Sequence, residues 1–193
     1  IDGGVKMNSK TSRRNFLKST SLIGSAIFVG FKLNSPNIIV AKDVSELDPQ
    51  LYISISPNNI ITIKVPNIEL GQGTHTGQAM IIAEELEVNL EQVNVINAPP
   101  DPQYGRLSTG GSGSIRKNFK KLLQVGASTK ETLMKAAAKI WNVELDECFA
   151  KNGEVIHKNS NRSITYGELA NTASKLKPSS TPKLKNSDDF QLI

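Results

Sequence analysis

The sequence predicts an α+β fold in which a β-hairpin and short strands pack with two main helices. Three observations lead there. Apolar and polar residues alternate on both sides of Pro57-Asn58-Asn59, two longer stretches repeat their apolar residues at helical spacing, and a second turn signal, Asn152-Gly153, follows the longer of them. A length of 193 residues holds one domain of ordinary size with its own core. A hydrophobic fraction of 38% with 5% aromatics suits such a domain flanked by segments with too little apolar surface to pack.

The chain opens on an address. Arg13-Arg14-Asn15-Phe16-Leu17-Lys18 precedes a modestly apolar run from Ser19 to Phe31, the layout of a bacterial export signal of twin-arginine type. That run is about 13 residues long, against roughly 20 needed to cross hydrocarbon, which disfavours a spanning helix. Residues 1–41 are read as the signal and the start of a linker, and 42–50 as the rest of the linker. The expected location is the periplasm or the periplasmic face of the inner membrane. The twin-arginine route carries proteins already folded, as an enzyme loaded with a cofactor in the cytoplasm requires.

Tyr52-Ile53-Ser54-Ile55-Ser56 and Ile60-Ile61-Thr62-Ile63-Lys64-Val65 are the two arms of the predicted hairpin. Over 76–88, Ala79, Ile82, Ala83 and Leu86 fall at i, i+3, i+4 and i+7 and predict a helix with one apolar face. A strand is expected at 93–97, followed by a loop that Pro99, Pro100 and Pro102 enforce. The long helical pattern covers 114–141, with Leu122, Val125, Leu133, Ala136, Ala137 and Ile140 inward. Residues 149–157 and 163–165 read as a short hairpin and 166–176 as a closing helix. Pro178-Ser179-Ser180-Thr181-Pro182-Lys183 has the composition of a linker, and Phe190-Gln191-Leu192-Ile193 reads as the start of another element. Residues 178–193 are therefore expected to link to a further domain downstream.

The net charge of +5 divides into seven Lys/Arg against four Asp/Glu in residues 1–50 and sixteen against fourteen in 51–193. The domain itself is nearly balanced and lacks a basic stripe interleaved with aromatics, which disfavours nucleic acid as a partner. Cys148, the single cysteine, has no internal disulfide partner; it follows Trp141 and Val143 near the end of the helical stretch and is expected to be a buried, inert thiol. His75 and His157 have no companions at metal-ligand spacing, so neither is assigned to catalysis or to a metal. Helical spacing puts Glu84 or Glu85 on an expected solvated face.

Chemistry concentrates in two glycine-rich segments. Gly71-Gln72-Gly73-Thr74-His75-Thr76-Gly77-Gln78-Ala79 sits where a strand turns into a helix. Glycines there let the backbone approach a ligand, and free N–H groups at the helix start favour an anion. The plainer alternative is a capped helix start in which Thr74 or Thr76 satisfies orphan donors. Thr109-Gly110-Gly111-Ser112-Gly113-Ser114 precedes the long helix in the same manner, its alternative being a flexible linker with a serine cap. Two such cradles in one domain suit a dinucleotide-like ligand, and the missing lysine of a phosphate-binding loop disfavours nucleotide hydrolysis.

Ile68-Glu69-Leu70-Gly71-Gln72-Gly73-Thr74-His75-Thr76-Gly77-Gln78-Ala79-Met80, continuing to Ala83-Glu84-Glu85-Leu86, resembles the cofactor-binding segment of the isoquinoline 1-oxidoreductase β-subunit group, in the xanthine dehydrogenase and aldehyde oxidase family. So do Ala98, Asp101-Pro102, Tyr104-Gly105, Thr109-Gly110-Gly111-Ser112, Ser114-Ile115-Arg116, Gly126-Ala127 and Tyr166-Gly167-Glu168-Leu169-Ala170, in that order. By this likeness residues 51–177 are the N-terminal part of a molybdopterin-binding domain. The resemblance implies a molybdenum hydroxylase large subunit that binds molybdopterin cytosine dinucleotide and hydroxylates an N-heterocycle or aldehyde with oxygen from water. It implies as partners the remainder of the large subunit, a small two-iron, two-sulfur subunit and a small-molecule substrate. Gln72 and Gly73 would then face the pterin or molybdenum end, while Thr109, Gly110, Gly111, Ser112 and Ser114 would hold pterin and phosphate groups.

Three departures qualify the likeness. The family's catalytic glutamate lies near a far C-terminus, so no residue here inherits that role and the chain is expected not to catalyse alone. The stretch between Tyr104 and Thr109 is shorter than the family's. Gly113 stands where the family commonly has another hydroxyl residue, which removes one possible hydrogen bond to a ligand. The alternative function is a truncated exported remnant or interaction module without catalytic activity, its cradles empty caps; a periplasmic module for a small anion is a third.

Overall fold

A computed structural model describes residues 49–105 and 107–193, so the expected export signal lies outside the described residues. Pro49 and Gln50, which end the expected linker, belong to a 3-10 turn, Pro49–Leu51. The predicted hairpin forms: β1 (Ile53–Ile55) pairs antiparallel with β2 (Ile61–Val65), Ile53 opposite Ile63. Period-two alternation does what it should, burying Ile53, Ile55, Ile61, Ile63 and Val65 while the residues between them stay half-exposed.

Helix α1 (Thr74–Leu86) then crosses to β3 (Val93–Asn97), which runs parallel to β2 with Val65 opposite Asn97. A parallel pair needs such a crossover, and the sheet order is β1-β2-β3. Ala79, Ile82, Ala83 and Leu86 are wholly buried, as their spacing predicts.

Helix α2 (Phe119–Trp141) packs along α1. It begins at Phe119 rather than at 114, because the segment before it is held in turns. The Asn118 side chain there donates to Ser114 O at 2.9 Å, and the helix start has no side-chain cap. Leu122, Val125, Leu133, Ala136 and Ala137 are inward as expected. Ile140 is not, at 47% exposed; Trp141, one position on, is the residue that packs there, against the His157 ring. Gly126 marks the helix crossing, where a Cβ would come within 2.5 Å of Ile82 O.

Strands β4 (Cys148–Lys151), β5 (Glu154–His157) and β6 (Ser163–Thr165) form a second, antiparallel sheet. Its first turn is Asn152-Gly153, with φ of 51° and 79°, the left-handed pair that two-residue hairpins require. Cys148 opens β4 instead of ending a helix, and burial pushes its thiol pKa up, which keeps it protonated and inert. Helix α3 (Tyr166–Ala173) starts on a capping box, Thr165 with Glu168, and gives way after Ala173 to a turn through Leu176. Tyr166 ties the second sheet to α1: its hydroxyl donates to Leu86 O at 2.7 Å and its N–H to Gly153 O at 3.0 Å.

Glu84 and Glu85 do not face solvent; they are 2% and 0% exposed. The segment after residue 178 supplies the cover that helical spacing could not foresee. Glu84 pairs with the Lys185 ammonium and accepts the N–H groups of Gln191 (2.9 Å) and Leu192 (2.6 Å), while Glu85 accepts the Lys185 N–H at 3.1 Å and lies 3.7 Å from Lys130 Nζ. Leu184, Phe190 and Leu192 pack on the core beside them.

Candidate functional site

Because β2 and β3 are parallel and end side by side, the segments that leave them emerge at one end of the sheet, where ligands of parallel sheets characteristically sit. Both glycine-rich segments lie there. Asn67 Nδ2 donates to Ser108 O and the Ile68 N–H donates to Thr109 Oγ1, each at 3.1 Å, so the two loops are joined edge to edge. Beneath them is a buried polar network. Asn67 Oδ1 accepts from Gln78 Nε2 at 2.7 Å and from Asn118 Nδ2 at 3.0 Å, and Gln78 Nε2 also reaches Ser114 O at 2.9 Å. Gln78 Oε1 is buried without a hydrogen-bond partner, which leaves the network one donor short.

The cleft between the loops has a volume of about 500 Å³ and brings together Gln72, Thr109, Gly110, Ser112 and Ser114. Thr74, expected only as a helix cap, and Leu70 and Ile115, to which no site role was given, complete its wall. Gly73 and Gly111 shape its two loops through their backbones, at φ of 77° and 60°. A Cβ at Gly71, Gly73, Gly110 or Gly111 would meet nothing within 4 Å, so the chain is bare where a ligand would lie.

The first loop differs from the open cradle that its glycines predict. Gly73 is the N-cap of α1 with no side-chain cap, so neither Thr74 nor Thr76 satisfies the helix start. Glu69 does. One of its oxygens accepts the N–H groups of Gly71 (2.7 Å) and Gly73 (2.9 Å), and the other accepts that of His75 (2.9 Å). These hydrogen bonds, led by the one from His75, hold the Glu69 carboxyl below its ordinary range. Gln72 folds back over the same turn: Nε2 donates to Ile68 O (3.0 Å) and Thr74 Oγ1 (2.9 Å), and Oε1 accepts the Leu70 N–H. His75 meets Asn97 Oδ1 at 2.8 Å.

The second loop is open. Gly110, Gly111 and Ser112 have φ of 156°, 60° and 51°, and among the described residues no acceptor meets their N–H groups. Successive amides of this kind form an anion-binding concavity, here ahead of a turn rather than at a helix start. The Gly113 departure also acquires a structural meaning. A Cβ there would lie 3.0 Å from Lys117 Cε and 3.3 Å from its Nζ, so the missing side chain makes room for a lysine beside the loop. That cation went unnoticed in the sequence because it stands after the glycines, not within them.

A family model described as molybdopterin cofactor-binding domain matches residues 6–191. The beta subunit of isoquinoline 1-oxidoreductase from Brevundimonas diminuta is 30% identical over 182 residues, covering 90% of this chain and 23% of that protein. Membrane-bound aldehyde dehydrogenase [pyrroloquinoline-quinone] of Gluconacetobacter polyoxogenes is 28% identical over 86% of this chain and 22% of its own length. A nicotinate dehydrogenase subunit of Pseudomonas putida is 23% identical over 80% of this chain and 13% of its own length. The chain thus spans under a quarter of the length of the curated relatives it matches. Among solved structures, CO dehydrogenase from Oligotropha carboxidovorans covers 61% of this chain, and 15% of itself, at 22% identity and a TM-score of 0.48.

Proposed function

The chain belongs to the molybdopterin cofactor-binding domain family, and we propose that the cleft between the Gln72 and Thr109–Ser114 loops holds part of a molybdopterin cofactor for a molybdenum hydroxylase large subunit. The observation that carries this is the second loop, where partnerless amides, two hydroxyls and bare glycine faces converge on one side of the cleft. Its donor set fits a phosphate-bearing group, and the neutral amide of Gln72 fits a pterin edge opposite it. We read the cofactor as the cytosine dinucleotide form, since both loops then have a part of the ligand to hold.

When bound, the cofactor would supply the redox chemistry that hydroxylates a carbon of an N-heterocycle or aldehyde with oxygen from water. Two relatives are named for N-heterocycles, isoquinoline and nicotinate, which favours that substrate class. The residues of this chain bind and orient. Ser112 and Ser114 offer hydroxyls, Thr109 joins its own to Ile68 and fixes the loop edge, the Gly110 to Ser112 backbone offers N–H donors, and Gln72, whose Nε2 hydrogens go to Ile68 O and Thr74 Oγ1, keeps acceptor capacity at Oε1. We assign the general base to no residue here; it and the remaining ligand contacts come from the rest of the large subunit, with a two-iron, two-sulfur subunit taking the electrons. Export through Arg13-Arg14 to the periplasm completes the reading, and replacing both arginines by lysine is expected to leave the protein in the cytoplasm on fractionation.

The binding test uses the full chain produced in a bacterium that makes molybdopterin cofactors. Molybdenum by mass spectrometry and cytidine nucleotide released by acid are expected in equal amounts, and both are expected to fall at least tenfold in Thr109→Val/Ser112→Ala. A purified chain with neither, or one carrying pyrroloquinoline quinone instead, rules the reading out.

A further inference from the structure

We propose that Glu69 is the positioning residue of the Gln72 loop, an anion built into the chain that takes the donors at the start of α1, fixes the turn carrying Gln72, and keeps phosphate on the opposite side of the cleft. The role of Glu69 stands on the geometry of the loop; only the statement about phosphate rests on the cofactor reading above.

Three amides within five residues converge on one carboxylate, at 2.7, 2.9 and 2.9 Å, and engage both of its oxygens. Gly71 and Gly73, at φ of 96° and 77°, give the turn the curvature that aims these amides at a common point. Among the described residues no cation within salt-bridge distance accompanies Glu69, so what stabilises its charge is the amides and the positive end of α1. Gln72 sits between two of the clamped amides, and its own side chain closes the other face of the same turn. Releasing Glu69 therefore frees three backbone donors and the conformation of Gln72 together. The same arrangement sets the polarity of the cleft. A phosphate at this helix start would compete with a carboxylate already in contact with the donors and would be repelled by its charge. The second loop has its amides free and Lys117 beside Gly113.

The test is by nuclear magnetic resonance on the full chain. The Gly71, Gly73 and His75 amide signals are expected to shift together in a single titration centred below the ordinary carboxylate range, because each donates to the same group. In Glu69→Gln that shared titration is expected to vanish and hydrogen exchange of the three amides to speed up at least tenfold, while amides in the middle of α2 keep their rates. Independent titrations in the wild type, or unchanged exchange in the variant, overturn the proposal; the wild-type titration decides it even if the variant does not fold. Cytidine diphosphate added to the wild type is expected to shift Gly110, Gly111 and Ser112. Shifts at Gly71, Gly73 and His75 instead overturn the exclusion of phosphate. With the shared titration present and no shift at either loop, Glu69 keeps its role and it is the cofactor reading that fails.

Discussion

Glu84 and Glu85 are neighbours on one helix and sit in opposite electrostatic situations. Burial opposes charge on Glu84, but the Lys185 ammonium and the Leu192 and Gln191 amides outweigh it and hold its carboxyl below the ordinary range. At Glu85 burial wins over Lys130 and the Lys185 amide and pushes the carboxyl up. The signs follow by linkage. The Glu84 contribution is present above the unfolded carboxylate pKa and is lost as pH falls through its lowered folded value. The Glu85 contribution is present below the unfolded value and lost as pH rises through its raised one. Glu84→Ala leaves Lys185 with Glu87 alone, at 3.2 Å, and strips the Gln191 and Leu192 amides of their acceptor; it is expected to cost about 2 kcal/mol in urea unfolding at neutral pH. Glu85→Gln removes a charge that burial disfavours, and the same measurement is expected to find a clearly smaller loss than for Glu84→Gln.

At the scale of elements, the fold depends on two places where backbone meets backbone. At Gly126 a Cβ would stand 2.5 Å from Ile82 O and 2.8 Å from Glu85 Cβ, so α1 and α2 cross at a distance that only glycine permits. Gly126→Ala is expected to cost about 2 kcal/mol by forcing the helices apart, read as a lowered urea midpoint. Gly167, in the first turn of α3, faces the β1–β2 turn: its N–H donates to Asn59 Oδ1 at 2.9 Å, and a Cβ would come within 2.6 Å of Asn59 N. Hairpin and closing helix are thereby locked to one another. Thr165→Ala removes only the capping box next to it and is expected to cost about 1 kcal/mol, which separates loss of a cap from loss of the contact.

Over the whole molecule, the long-range design is a sheet end that presents two loops, with a C-terminal strap across the far end of α1. The strap is held both by charge at Glu84 and by Leu184, Phe190 and Leu192 on the core. Acidification through the lowered Glu84 pKa is therefore expected to release residues 183–192 before the core unfolds. Limited proteolysis by pepsin, active in acid, checks this: cleavage in that segment is expected to precede any cleavage in α2, and Glu84→Gln to bring it on at higher pH.

Much of this was legible beforehand because it is local. Period-two alternation located β1 and β2, helical spacing located α1 and the buried face of α2, and Asn152-Gly153 announced its turn, since each signal reflects which side of an element faces water. The glycine-rich loops were legible too, as places where the backbone takes the positive φ that glycine adopts freely. What tertiary structure alone decided is which partners those local groups find. The sequence shows a helix start rich in glycine; only the fold shows that Glu69 has already taken its donors, leaving the second loop as the open one. Spacing placed Glu84 or Glu85 toward solvent because periodicity knows one helix at a time, whereas the cover over both arrives from a segment a hundred residues further along. The joining of the loops through Asn67, Gln78 and Asn118 is likewise unreadable in sequence, because it follows from β2 and β3 ending side by side, and strand order is a property of the folded sheet.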